Sequence, residues 1–359
     1  MKISVSQATL DWLLSKENPP VRYLTLTRLL ERWEGSREVR DARARLGEYE
    51  PTRKILAARA KFWRNGAKLY EKYGGGYWQI IFLGEFCASR DLRGVAEGVE
   101  FVLASRGKFE GGRPWYSIHC LNANVLRGMV TLGFGDDARV REGLEHIARE
   151  VVETAGVPCP ITEWSVYSTC RMTLPKVLLA MTSLPAAERT PAMKKAARIC
   201  RDQLLEQDVS RYVSPHASDF HEHLMAMPAG APKSWSWKPE RRAAIAPIKV
   251  EFVKSRGGLG ELRDKAGWLR FGFPLHYNSD TLEAMLALAQ AQTPAASPRV
   301  RHAIATILAR RRADGRWNLD FTHNGKMICD VEKKGAPSRW ITYRALTVLK
   351  HFRGIELPG

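Results

Sequence analysis

At 359 residues, 45% of them hydrophobic, the chain can bury a continuous core as one large domain or two. Lys and Arg number 56 against 38 Asp and Glu, and the net charge of +18 favours nucleic acid, a phosphorylated metabolite or an acidic membrane surface, unless the scattered arginines simply solvate the exterior. Six cysteines make no secreted disulfide framework, no apolar leader follows Met1 and no uncharged apolar run spans a bilayer, which leaves a cytoplasmic protein with peripheral membrane contact still open.

Helical periodicity dominates and strand alternation is rare, so the chain reads as all-α. The first strong helix, 20–33, carries Leu24, Leu26, Leu29, Leu30 and Trp33 on one face. After Gly35, Ser36-Arg37-Glu38-Val39-Arg40 opens a second. Similar starts recur at Asp91-Leu92-Arg93, Asp137-Ala138-Arg139, Thr190-Pro191 and Ser297-Pro298-Arg299. Each puts a Ser, Thr or Asp oxygen where it can cap free backbone N–H groups. Their spacing of about 45 to 55 residues, with one double gap, is that of a helical-hairpin repeat.

The more apolar helices fall at 20–33, 77–89, 118–132, 165–183, 279–292 and 338–352. Charged partners follow at 36–46, 92–105, 137–154, 190–207 and 297–312, with a sixth from 4–15 or 51–63. The apolar set is expected to face inward. The segment 208–277 breaks the rhythm with Pro215, Pro228, Pro232, Pro239, Pro247 and Gly257-Gly258, and reads as a long, loop-rich basic insertion. Its aromatic end, Trp268 to Tyr277, is expected to pack back on the rest.

Two hexapeptides at opposite ends share a pattern: Pro20-Val21-Arg22-Tyr23-Leu24-Thr25 and Pro337-Ser338-Arg339-Trp340-Ile341-Thr342. If both begin equivalent helices, the ends are the same kind of element and should lie side by side in a closed ring. Between them, Arg311-Arg312-Ala313-Asp314-Gly315-Arg316-Trp317 resembles the turn motif of the terpenoid cyclase and protein prenyltransferase superfamily, with Arg311 in place of the Gln that stacks on Trp. Gly107-Lys108-Phe109-Glu110-Gly111-Gly112 is similar to a degenerate second copy. This resemblance implies an α/α toroid of six inner and six outer helices in a single domain over 1–359, and an isoprenoid-like ligand. The family's catalytic motifs have no counterpart here: Asp136-Asp137 lacks the further carboxylates of either cyclase class, and the zinc signatures of prenyltransferases and lanthionine-forming cyclases are absent from the sequence.

Three constellations could carry chemistry. Cys120, Cys159 and Cys170, with His119 beside them, would converge at one rim of a ring and could hold Zn²⁺ with an open position, act as reactive thiols, or be inert core cysteines. Polar and aromatic residues at inner-helix starts would line a mouth: Arg22, Trp78, Asn122, Trp164, Tyr167, Arg171, Tyr277, Arg339 and Trp340. The arginines there could bind a diphosphate or carboxylate, or merely satisfy carbonyls where the ring closes. Asp280 could serve as an acid or only cap its helix; Glu85 and His276 are alternative acid–base groups. His216, His221 and His223 make a weaker metal motif in the insertion.

The readings that follow are a toroid binding a small, partly apolar anionic ligand, with or without turnover by a non-standard acid such as Asp280 and with His119 or Cys170 assisting; a basic helical repeat tracking nucleic-acid phosphates; or a zinc enzyme acting on a thiol or peptide.

Overall fold

The computed structural model describes residues 2–67, 69–105, 119–157, 169–215, 217–228, 262–274 and 276–358, with a few positions between 244 and 255. Among them fourteen α-helices carry the fold, and the strands are two or three residues long. The chain is all-α. In order the helices are α1 (Gln7–Leu13), α2 (Pro19–Leu24), α3 (Arg37–Ala44), α4 (Glu50–Ala57), α5 (Gly76–Glu85), α6 (Val95–Ala104) and α7 (His119–Met129). There follow α8 (Ala138–Glu153), α9 (Leu174–Met181), α10 (Pro191–Leu205), α11 (Ala217–Ala226), α12 (Thr281–Gln290), α13 (Arg301–Ala309) and α14 (Arg339–Arg353). No helix among the described residues is long and apolar enough to cross a membrane.

Local chemistry sets most starts. Side chains of Ser6, Asn18, Ser36, Asp137, Thr190, Asp280 and Ser338 each accept a backbone N–H from the first turn of the helix they precede. Asp91 does not cap: the helix expected from 92 begins at Val95, after Gly94 at φ 95°. The helix expected from 165 begins at Leu174, where Pro175 suits a first turn, so Cys170 and Arg171 precede it. α2 continues as a π-helical turn over Thr25–Leu29 and ends there, leaving Trp33 beyond the helix and 76% exposed instead of on an apolar face.

The two helix classes separate by burial. Every residue of α9 and all of α5 up to Gly84 are buried, whereas α10 buries only the stripe Met193, Ala196, Cys200 and Leu204. The apolar helices pack in sequence, α5 on α7, α7 on α9, α9 on α12 and α12 on α14, while α14 also meets α2. Each is covered by the helix after it: α3 on α2, α6 on α5, α8 on α7, α10 on α9 and α13 on α12, with α1 against α14. α5 and α7 approach so closely that a Cβ on Gly84 would lie 2.6 Å from Gly128 Cα, and one on Gly128 2.9 Å from Ile80 O.

The ends of the chain meet. Strand β1 (Ile3–Ser4) pairs in parallel with a strand at Ile355–Glu356, Ile3 opposite Ile355. Arg316 and Arg339 both lie over the Trp12 ring, 4.2 and 4.8 Å from its centroid. The Arg311 guanidinium lies 5.7 Å from the Trp317 ring centroid while Nη2 donates to Ser4 O at 2.7 Å. Trp317 is fully buried and donates Nε1–H to Ile307 O at 2.6 Å.

Within 208–277, strand β2 (Val213–Pro215) pairs antiparallel with β3 (Leu262–Asp264); the strand at the carboxyl end is β4 (Ile355–Glu356). The aromatic stretch after β3 packs inward as expected. Trp268, Phe271 and Phe273 are buried, and Phe273 stacks on Trp340 with ring centroids 4.0 Å apart.

Candidate functional site

Residues 276–280 touch α5, α7 and the approach to α9 and lead into α12. Asn124 donates to His276 O at 3.2 Å, and Ser279 Oγ donates to Met172 O, just before α9, at 2.6 Å. On this frame sits a cluster of rings. Tyr73 stacks on His323 with centroids 3.9 Å apart, His323 meets His276 edge-on at 4.2 Å, and His276 lies 5.4 Å from Phe321. Trp78 bridges Tyr73 at 4.7 Å and Tyr277 at 5.0 Å. Lys72 Nζ stands 4.9 Å from the Tyr277 ring centroid.

Both imidazoles are neutral. Burial, with Lys176 and other cations nearby, pushes His276 down to about 2 and His323 down to about 4. His276 Nδ1 and His323 Nε2 are buried and find no hydrogen-bond partner among the described residues, unlike most buried polar atoms.

His276 and Phe321 also face a cleft of about 310 Å³ whose wall includes Lys265, Arg270, Gly272, Ser279 and Asp280. Lys265 and Arg270 are exposed and give the opening a positive edge. Asp280, only 3% exposed, caps α12: Oδ1 accepts from Glu283 N at 2.7 Å and Oδ2 from Gly272 N at 2.8 Å. Burial raises its carboxyl to about 6 despite those bonds.

One turn along α12 lies a charged interior. Lys176 Nζ donates to Glu283 Oε2 at 2.5 Å with both side chains almost wholly buried, and Glu283 Oε1 has no partner among the described residues. Arg344 Nη2 donates to Glu85 Oε2 at 2.5 Å, and Arg127 pairs with the other oxygen of the same carboxylate. Burial holds Lys176 below its ordinary range. Four apolar helices and α14 thus each turn a charge inward, where such pairs are costly to break.

Other residues expected at the mouth scatter. Arg22 donates to Leu14 O, and Arg339 donates to Trp12 O at 3.2 Å and pairs with Glu17, so both tie the place where the chain ends meet. Arg171 donates to the carbonyls of Gln203, Leu204 and Asp208 at the end of α10. Trp340 is core, with Nε1 donating to Tyr49 OH at 3.3 Å. Trp78 and Tyr277 do join the ring cluster. Asn122 is buried, with Nδ2 unpartnered among the described residues.

His119 is buried beside Glu150, Nε2 to Oε2 3.5 Å, and burial lowers it to about 4. Cys120 and Cys170 are buried and form no disulfide among the described residues. Cys159, Trp164 and Tyr167 lie outside the described residues, as does the second turn-like copy at 107–112. Among the described residues no three His, Cys, Asp or Glu side chains are grouped to hold a metal.

No family model, curated protein or solved structure matches this chain. The site therefore stands on its own geometry. Sequence reasoning missed Tyr73, Phe321 and His323, which lie outside the helices, where no periodicity marks them. It also passed over Arg344, and over Lys176, Arg127 and Glu283, although each of these three is the one Lys, Arg, Asp or Glu of its helix, a signal that a buried partner exists.

Proposed function

We propose that this chain is an α/α toroid, with α2, α5, α7, α9, α12 and α14 inside and α3, α6, α8, α10, α13 and α1 outside, that binds a small anion with an apolar body at the mouth of its inner helices. The serial packing of the apolar helices, each covered by its successor, and the meeting of the chain ends support the ring. The binding reading is carried by one observation: the 310 Å³ cleft joins the cations Lys265 and Arg270 to a wall of Phe321 and His276. A guanidinium and an ammonium at the opening hold the anion. The ring surfaces behind them accept the apolar part, and uncharged imidazoles leave that wall without competing positive charge.

Naphthalenesulfonate, a fixed anion on an aromatic body, tests this by calorimetric titration. Binding is expected in the unaltered chain and should weaken about tenfold or more when Arg270→Glu and Lys265→Glu are combined. Equal affinity in the double variant, with its helical circular dichroism intact, would overturn the reading. An isoprenoid diphosphate is the natural second probe, because the turn motif around Trp317 resembles that of proteins that handle such molecules; release of diphosphate would make the protein an enzyme as well as a binder.

A further inference from the structure

We infer that the cleft takes up its anion together with one proton, carried by the Asp280 carboxyl group. The inference rests on the cleft being the ligand site.

Asp280 lies in the same wall as Lys265 and Arg270, yet it makes no ion pair within 4.0 Å among the described residues; its two oxygens take only the backbone N–H groups of Glu283 and Gly272. An anion drawn in by the two cations meets this carboxylate as a second negative charge. The charges around Asp280 are already committed. On its own helix Glu283 sits one turn away and is held by Lys176 of α9. Arg344 of α14 and Arg127 of α7 are both engaged by Glu85 of α5. In the preceding segment His276 is neutral, as is His323 beyond it. None of these groups is free to neutralise a second negative charge.

The cheaper solution is protonation. In the free protein burial has brought the carboxyl to about 6, so a proton is available near neutrality at small cost. A nearby anion disfavours the charged carboxylate further and raises the bound-state value above the free one. Linkage then fixes the sign: affinity is greatest below the free value, falls as pH rises through it, and levels off above the bound one. The proton comes from solvent and returns there when the anion leaves.

Calorimetry with naphthalenesulfonate, whose charge is constant from about pH 5 to about pH 8, tests this on the full chain in buffers of differing ionisation enthalpy. Binding about tenfold tighter at the acid end is expected, which is one unit of displacement in the carboxyl, with net proton uptake between the limits. Asp280→Asn should remove both effects, and the paired His276→Gln and His323→Gln variant, weaker in affinity because His276 lines the cleft, should keep the same ratio between acid and alkaline ends and the same proton uptake. Should Asp280→Asn fail to fold, the unaltered chain and the histidine variant decide between them. Affinity independent of pH without proton uptake overturns the inference and leaves the ligand site standing, as does a dependence that disappears with the histidines. No binding at any pH removes the ligand site and the inference with it.

Discussion

His276 and His323 show what a buried imidazole does to a fold when no acid stands beside it. Their ordinary value is 6.5, and the folded chain holds them at about 2 and about 4. The stability they confer is fully present above 6.5 and is lost as pH falls through the folded values, because the unfolded chain takes the protons first. For His323 the loss between about pH 7 and about pH 5 comes to about 2 kcal/mol. His323→Gln should therefore narrow the difference between urea midpoints at the two pH values, whatever its effect at either one. Lys176 and Glu283 give the complementary case. Removing one partner, as in Lys176→Met, leaves a buried charge and should cost about 3 to 5 kcal/mol in urea unfolding, while Lys176→Met with Glu283→Leu should recover most of it. At this scale sequence is a partial guide. Ser36, Asp137 and Thr190 were legible as caps because the atoms they bind lie two or three residues away. The partners of Lys176 and Arg127 come from helices remote in sequence, and nothing local announces them.

Helices were legible as a class and less so at their boundaries. The apolar runs of α5, α9 and α12 and the single buried stripe of α10 follow directly from composition and period. The π-helical turn after α2 does not, and it moved Trp33 from an expected apolar face into solvent. Between α5 and α7 the fit is set by glycine on both sides. Gly84→Ala would push a methyl into the Gly128 backbone, where side-chain rotation gives no relief. A destabilisation of about 1 to 3 kcal/mol is expected from thermal or urea unfolding, in contrast to Gly→Ala in an exposed helix, which stabilises. The segment 208–277 was legible only in its aromatic end. That this end would supply both the Phe273 stack on Trp340 and part of the wall of the cleft is stated by no pattern in the segment.

For the whole molecule, the shared hexapeptides around Arg22 and Arg339 pointed to neighbouring ends, and they are neighbours. Their arginines serve that junction and do not line the cleft. The Trp12 ring beneath Arg316 and Arg339 is the centre of the junction. Trp12→Ala removes both cation contacts and much of the apolar area there, and should lower the thermal midpoint by several degrees while leaving naphthalenesulfonate binding at the cleft unchanged.

Because β1 and β4 lie side by side, the order in which the helices are written in the chain is not what holds them in place. A short linker from the carboxyl end back to the amino end, with new ends cut between the exposed Ala186 and Ala187, should give a rearranged polypeptide with the same far-ultraviolet spectrum and cooperative melting. In such a permutant the cleft residues between 265 and 280 and Phe321 would fall in the first half of the new chain, while Met172, in the same wall, would lie close to its carboxyl end.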